Sequence, residues 1–266
     1  MGVLRGLESL GLVPAGLVGV SMGAVVAATW ALREDWYRAL VAMETSGFPR
    51  PLGSLPGERP GALDRLREWS GLARAGWDMF VGWGVGAPAV PAGEAALKDL
   101  TRGGRLEDGR APVAVVATDL RSGGRVVLEA GDAAGALYAS AAIPGVLPPQ
   151  PRGDALLADG ASADLAPVDV ARGFGCPVVV AVDPGQSLQR HDPKTGFEAL
   201  LRAVEICQLT HAHLRFEEAD LVIRPSFRRT IDTLDFDARR ECVAAGIRGV
   251  RARREDLLAL LRSASV

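Results

Sequence analysis

The sequence has few of the residues that build disulfide frameworks and metal centres. Its 266 residues include three histidines and three cysteines, which are Cys176, Cys207 and Cys242. The cysteines form no Cys-x-x-Cys pair and their number is odd, so neither a disulfide scaffold nor a zinc site is expected. We interpret them as isolated buried thiols, and we expect the protein to use no metal and no cofactor.

Long apolar runs and an excess of basic charge are also lacking. No apolar run reaches the roughly 18 residues that a membrane-spanning helix needs. Arg5 and Glu8 interrupt the apolar stretch at the N-terminus, which is unlike a signal peptide. We therefore expect a soluble, cytoplasmic protein. The formal net charge of −2 gives no general attraction for nucleic acid, so no nucleic-acid partner is expected.

Apolar residues are plentiful, at 48 % of the chain, which is enough for one sizeable core. Short apolar runs predict strands at Leu17–Val20, Val113–Thr118, Val126–Glu129, Val178–Val182 and Leu221–Ile223. Helices are predicted at Val3–Leu10, Gly23–Leu32, Glu34–Met43, Asp132–Ala142, Val168–Phe174, Gly196–Glu218 and Asp237–Arg262. Strands that alternate with helices predict an α/β fold with a mainly parallel sheet covered on both faces.

Residues 46–91 break this alternation, because glycine and proline are crowded there. We predict one domain over residues 1–266 with a cap-like insertion at about 46–91. Trp77, Phe80 and Trp83 in this insertion are candidates for lining an acyl-chain groove or touching a membrane surface. A second hydrophobic cluster packed on the core explains the same aromatic residues equally well.

A nucleophile motif follows the first predicted strand. Gly19-Val20-Ser21-Met22-Gly23 fits Gly-x-Ser-x-Gly, in which a serine on a sharp strand-to-helix turn needs small neighbours. The turn presents the serine hydroxyl at a helix N-terminus, which favours developing negative charge. Ser21 is therefore the candidate nucleophile.

A serine nucleophile needs a base, and two arrangements are open. A Ser-His-Asp triad would draw on His191, His211 or His213, whose polar or helical surroundings are typical of solvated surface histidines. A Ser-Asp dyad would use Asp159, which follows an apolar run and begins an Asp-Gly turn.

Several segments in a fixed order resemble the patatin-like phospholipase family. They are Gly19–Gly23, Ala117–Leu120, Ala139–Gly145, Asp159–Ala161 and Ala166–Val168. The resemblance implies a three-layer α/β/α fold and hydrolysis of acyl esters, typically of phospholipids or lysophospholipids. It also implies that Asp159, in an Asp-Gly-Ala motif with Gly160 and Ala161, is the base of a Ser-Asp dyad. The stretch Ser140–Gly145 is expected to form a tight turn near the cleft, fixed by Pro144.

One part of the family pattern is missing. The family begins with a Gly-Gly-Gly-x-Arg-Gly loop whose amides form the oxyanion hole, whereas this sequence begins Met1-Gly2-Val3-Leu4-Arg5. Either the natural chain extends further upstream, which we favour, or this is a short form with weak or no activity. The leading function is thus a lipid acyl hydrolase. The alternatives are a non-catalytic lipid- or partner-binding protein and a general esterase with a histidine triad.

Overall fold

The computed structural model describes residues 1–45, 86–185, 192–193, 196–229, 231 and 235–264, without the side chains at 197, 198 and 201. The described helices are α1 (Gly2–Ser9), α2 (Met22–Leu32), α3 (Trp36–Ala42), α4 (Val90–Thr101), α5 (Ala133–Ala141), α6 (Val168–Gly173), α7 (Gly196–Phe216), α8 (Arg239–Ala252) and α9 (Arg254–Ser263). The described strands are β1 (Leu17–Val20), β2 (Val113–Asp119), β3 (Arg125–Leu128), β4 (Gln150–Arg152), β5 (Ala155–Asp159), β6 (Val180–Val182) and β7 (Leu221–Ile223).

Strand β2 is the centre of the larger sheet, and all seven of its residues are buried. It pairs in parallel with β1 and antiparallel with β3 and β5, and β4 pairs antiparallel with β5. Strands β6 and β7 form a second, parallel pair. The predicted α/β class is confirmed. Two of the five described strand pairings are parallel, β1 with β2 and β6 with β7, and the other three are antiparallel, so the larger sheet is mixed rather than mainly parallel.

Strands β1 and β5 share one edge of β2. The antiparallel partner β3 occupies the other edge over residues 115–118 of β2. Strand β1 pairs with residues 113–116 of β2, and β5 pairs with residues 117–119. Both ranges overlap the residues of β2 that pair with β3, so β1 and β5 must pair with the opposite edge of β2. Because β1 runs parallel and β5 antiparallel to β2, their carboxyl-terminal ends meet near the middle of that strand.

Helix α2 is apolar on every side, and a helix of this kind has to be buried all round. Ala24 and Ala28 are fully buried, and Trp30 is 1 % exposed. Small side chains in α2 and in the similarly apolar α5 let both helices approach the larger sheet closely. The helix that carries the nucleophile motif is thereby fixed in the core.

Helix α1 packs on α8 through glycine. A Cβ at Gly2 would lie 2.2 Å from the Val243 carbonyl oxygen, and one at Gly6 would lie 2.9 Å from the Val250 side chain. Only glycine therefore permits this helix contact.

Four predictions differ from the structure. Helix α4 (Val90–Thr101) was not expected and begins inside the predicted insertion, whose residues 46–85 lie outside the described residues. Strand β4 was also not expected. The single helix expected at Asp237–Arg262 is wrong, because the chain breaks at Arg253, which has φ −108° and ψ 15°. The three cysteines are not buried, and Cys207 is exposed on the outer face of α7.

The described helices are all too short or too polar to cross a membrane.

Candidate active site

Ser21 lies on a sharp turn between β1 and α2. Its φ is 52° and its ψ is −125°, a strained backbone conformation for a residue with a side chain. The Ser21 carbonyl accepts the first hydrogen bonds of α2, from the amides of Ala24 at 2.9 Å and Val25 at 3.2 Å. The turn is tight enough that a Cβ at Gly19 would lie 2.3 Å from the Ala24 Cα.

The N-terminus of α2 is open to solvent beside Ser21. Ser21 is half-buried, Met22 is 44 % exposed, and Gly23 is also exposed. The amides of Met22 and Gly23 precede the first hydrogen bond within the helix, so they are free to bind an acceptor outside it. Their position favours negative charge next to the Ser21 hydroxyl.

Asp159 is the last residue of β5 and is only 4 % exposed. Its Oδ1 accepts a hydrogen bond from the Ala161 amide at 2.8 Å, within the 3₁₀ turn Gly160–Ser162. Burial raises the pKa of the Asp159 carboxyl above its ordinary value of 3.8, whereas hydrogen bonding from the Ser21 side chain and the Ala161 amide acts to lower it.

The structure brings Ser21 and Asp159 together at the meeting point of β1 and β5. Val20, which precedes Ser21, is paired with Val116, and Asp159 is paired with the next residue of β2, Ala117. A Cβ at Gly160 would lie 2.2 Å from the Val116 carbonyl oxygen and 3.1 Å from a Val20 methyl group. The absence of a side chain at Gly160 therefore lets the Asp-Gly-Ala turn reach the end of β1.

Buried hydroxyl groups hold both turns against β2. The Ser21 amide donates to Ser140 Oγ at 2.9 Å, and that hydroxyl donates to the Val116 carbonyl at 2.6 Å. The Thr118 hydroxyl donates to the Asp159 carbonyl at 2.8 Å and accepts from the Ala163 amide at 3.0 Å. Both hydroxyls lie in segments that resemble the family, Ala117–Leu120 and Ala139–Gly145, but a serine in an alanine-rich helix and a threonine in a strand carry no distinctive spacing that predicts these hydrogen bonds.

Asp119 has a structural role at the far end of β2. Its carboxylate accepts hydrogen bonds from the Ser122 hydroxyl at 2.6 Å and from the Leu156 and Arg121 amides at 2.9 and 3.1 Å. These hydrogen bonds, led by that of Ser122, lower the pKa of Asp119 to about 2. The carboxylate therefore ties a turn to β5.

The described histidines are placed on the surface of α7. His211 and His213 are exposed, and the His213 ring lies 4.0 Å from Glu217. Among the residues that the structure describes, no hydrogen bond joins a histidine to Ser21 or Asp159. His191 lies outside the described residues.

The predicted acyl-binding residues Trp77, Phe80 and Trp83 also lie outside the described residues, so the acyl-chain groove stays a prediction. A cavity of about 530 Å³ is present elsewhere, near the N-terminal part of α8. Its lining residues are Arg228, Arg229, Glu241 and Arg248. These charged side chains do not suit an acyl chain.

Comparisons with known proteins identify the family of the chain. A family model described as patatin-like phospholipase matches residues 1–172, a range that includes Ser21, Ser140 and Asp159. Uncharacterized NTE family proteins of Mycobacterium bovis and of Mycobacterium tuberculosis strains CDC 1551 and H37Rv are 27 % identical to the chain over 186 residues. The match covers 68 % of this chain and 44 % of each relative, so the chain spans less than half the length of these relatives. The family model covers well over half of the chain, and the chain therefore belongs to the patatin-like phospholipase family, whose three-layer α/β/α fold it has.

Proposed function

We propose that this protein hydrolyses acyl esters of lipids, with Ser21 as the nucleophile and Asp159 as its base. The observation that carries the proposal is the meeting of β1 and β5 on one edge of β2, which puts these two residues side by side. Membership of the patatin-like phospholipase family supports a lipid acyl hydrolase in particular. That one domain extends over residues 1–266 remains part of the proposal.

The reaction has two steps. Asp159 accepts the proton of the Ser21 hydroxyl while Oγ attacks the ester carbonyl, and the leaving alcohol takes that proton as the acyl-enzyme forms. A water molecule then gives a proton to Asp159 and attacks the acyl-enzyme, which releases the fatty acid and returns the proton to Ser21. A carboxyl whose pKa is raised by burial is a stronger base than an ordinary aspartate, which suits both steps.

The oxyanion that forms in each step needs hydrogen-bond donors. The exposed amides of Met22 and Gly23 at the N-terminus of α2 are the nearest candidates. Loss of one hydrogen-bond donor to the oxyanion typically lowers kcat by about 100- to 1000-fold. We therefore expect kcat of this protein to depend strongly on how many amides bind the oxyanion.

The lipid part of the proposal is carried by family membership and by the predicted acyl-binding residues Trp77, Phe80 and Trp83. We propose that the substrate is a phospholipid or lysophospholipid, reached through peripheral contact with a lipid surface. Because the chain matches less than half of each named relative, the substrate of the whole protein stays a proposal.

Labelling with a fluorophosphonate probe, together with hydrolysis of a chromogenic ester, tests the chemistry. We expect wild-type protein to be labelled, and Ser21→Ala and Asp159→Asn to lose labelling and turnover. Ser263→Ala, at an exposed serine of the last helix, is the matched control and should behave as wild type. Turnover retained by either active-site variant would refute the assignment.

The same assay separates the alternatives. Loss of activity in His191→Ala, His211→Ala or His213→Ala would favour a histidine triad, because a Ser-Asp dyad tolerates all three changes. A folded wild-type chain that binds phospholipid vesicles without being labelled would favour a non-catalytic lipid-binding protein.

A further inference from the structure

One short segment binds the backbone amides of both proposed catalytic residues. The Ser21 amide donates to the Ser140 hydroxyl at 2.9 Å, and the Asp159 amide donates to the Ala142 carbonyl at 2.9 Å. Ser140 lies in the last turn of α5, and Ala142 follows the helix directly. The end of α5 is thus the common attachment point of two turns that are far apart in sequence.

The direction of the hydrogen bonds at Ser140 is fixed. A serine hydroxyl has a single proton, and here it is donated to the Val116 carbonyl at 2.6 Å. The oxygen lone pairs are therefore left to accept from the Ser21 amide. Ser140 is fully buried, so water does not replace either bond. Ser140 connects the strand β2, the helix α5 and the nucleophile turn.

The strained backbone of Ser21 needs such support. A non-glycine residue with φ of 52° keeps that conformation only where its surroundings determine it. The Ser21 carbonyl is held by the first turn of α2, and its amide is held by Ser140. Both backbone groups of Ser21 are bound, and its hydroxyl, directed at Asp159, is the group left to react with a substrate.

We propose that Ser140 is a positioning residue, which together with the Ala142 carbonyl sets the separation between the Ser21 hydroxyl and the Asp159 carboxylate. Ser140 touches the backbone of Ser21 and none of the reacting atoms. The loss of activity expected when Ser140 is replaced rests on the proposed function. The loss of the hydrogen bond that holds the Ser21 amide does not.

Amide hydrogen exchange measured by NMR tests the geometry whether or not the protein is active. In Ser140→Ala the Ser21 amide loses its acceptor, so we expect its exchange to become at least about tenfold faster. The Asp159 amide keeps its bond to Ala142 and should stay protected, which makes it an internal control. Thr101→Val is the matched control variant, since the hydroxyl it removes is buried and, among the described residues, bonds to carbonyls of its own helix, chiefly that of Leu97 at 2.8 Å.

Kinetics test the consequence for catalysis. A nucleophile displaced by a fraction of an ångström to 1 Å typically loses about 10- to 100-fold in rate, so kcat and the labelling rate of Ser140→Ala should fall by this factor. KM should change less than about twofold, because no substrate-binding group is removed. Thr101→Val should leave both constants unchanged. Ser140→Cys, of similar size but with a weak acceptor, should give intermediate values and serves if Ser140→Ala does not fold.

Three results would overturn the proposal. The first is an exchange rate of the Ser21 amide that is the same in Ser140→Ala as in wild type. The second is a loss of activity in Ser140→Ala no larger than that in Thr101→Val. The third is a loss of activity in Ser140→Ala that its larger unfolded fraction explains completely. If wild-type protein is not labelled at all, the proposed function fails, and amide exchange alone then decides whether Ser140 positions Ser21.

Discussion

The two glycines of the nucleophile motif should respond oppositely to alanine. A Cβ at Gly19 would lie 2.3 and 2.5 Å from the Cα and N of Ala24 and 2.6 Å from the carbonyl carbon of Gly23. Carbon atoms in favourable contact are about 3.5–4.0 Å apart, so the methyl group overlaps backbone by about 1 Å. Backbone cannot rotate away as a side chain can, and we place the cost of Gly19→Ala at the upper end of overpacking, about 3 kcal/mol.

For a chain of this size each kcal/mol lowers Tm by about 2–4 °C, so we expect Gly19→Ala to melt about 6–12 °C below wild type. Gly23→Ala is the matched control, because a Cβ there meets nothing within 4 Å and the residue is exposed in α2. Alanine is favoured over glycine in a helix by about 0.8–1 kcal/mol, so Gly23→Ala should melt at or slightly above the wild-type temperature. Thermal unfolding followed by circular dichroism is the assay. A Gly19→Ala protein that melts like Gly23→Ala would refute the packing argument.

Two further predictions concern buried polar groups. Asp159→Asn should unfold at a higher urea concentration than wild type at pH 7, because it removes a buried charge whose folded-state pKa is raised. The extra stability of Asp159→Asn over wild type should be absent below the ordinary aspartate pKa of 3.8, grow as pH rises through the raised pKa, and stay constant above it. A stability difference that is equal at all pH values would show that the buried charge is not its cause. Glu8 Oε1 accepts from the indole nitrogens of Trp36 at 3.0 Å and Trp30 at 3.4 Å. Glu8→Ala should therefore lower the free energy of unfolding in urea by about 1–3 kcal/mol. Glu8→Gln should lower it clearly less, because the side-chain amide keeps an acceptor oxygen. Equal losses in the two variants would show that the indole groups do not depend on this acceptor.

Much of the fold could be predicted where apolar runs have clear ends. The strands at Leu17–Val20 and Leu221–Ile223 have the predicted bounds, because each run is short and flanked by breakers or charge. Helix α4 was missed because Pro91 was counted as a breaker. Pro91 lies at the second position of α4, where its missing amide proton removes no hydrogen bond within the helix. The break at Arg253 carries no sequence signal, since neither glycine nor proline occurs there.

The residues of the proposed site could be named from the sequence, whereas the groups that hold them in place could not. The Gly-x-Ser-x-Gly pattern indicates Ser21 as the nucleophile, whereas the choice of Asp159 over a histidine follows from the resemblance to the patatin-like family. The attachment of both turns to Ser140 and Ala142 depends on where the end of α5 is placed by tertiary packing. The family resemblance singles out Ala139–Gly145, but no local pattern there predicts that the Ser140 hydroxyl accepts a hydrogen bond from the strained Ser21 amide.

The shared edge of β2 has a consequence for how the protein folds. Strand β1 lies near the N-terminus and β5 comes more than a hundred residues later, so bringing their ends together requires closure of a long loop, and such non-local pairing is slow. A chain that is still being synthesised contains the nucleophile turn well before β5 exists. If Ser21 is the nucleophile as proposed, its reactivity would emerge only with the native topology, and an unfinished chain would be kept from attacking esters before it has folded.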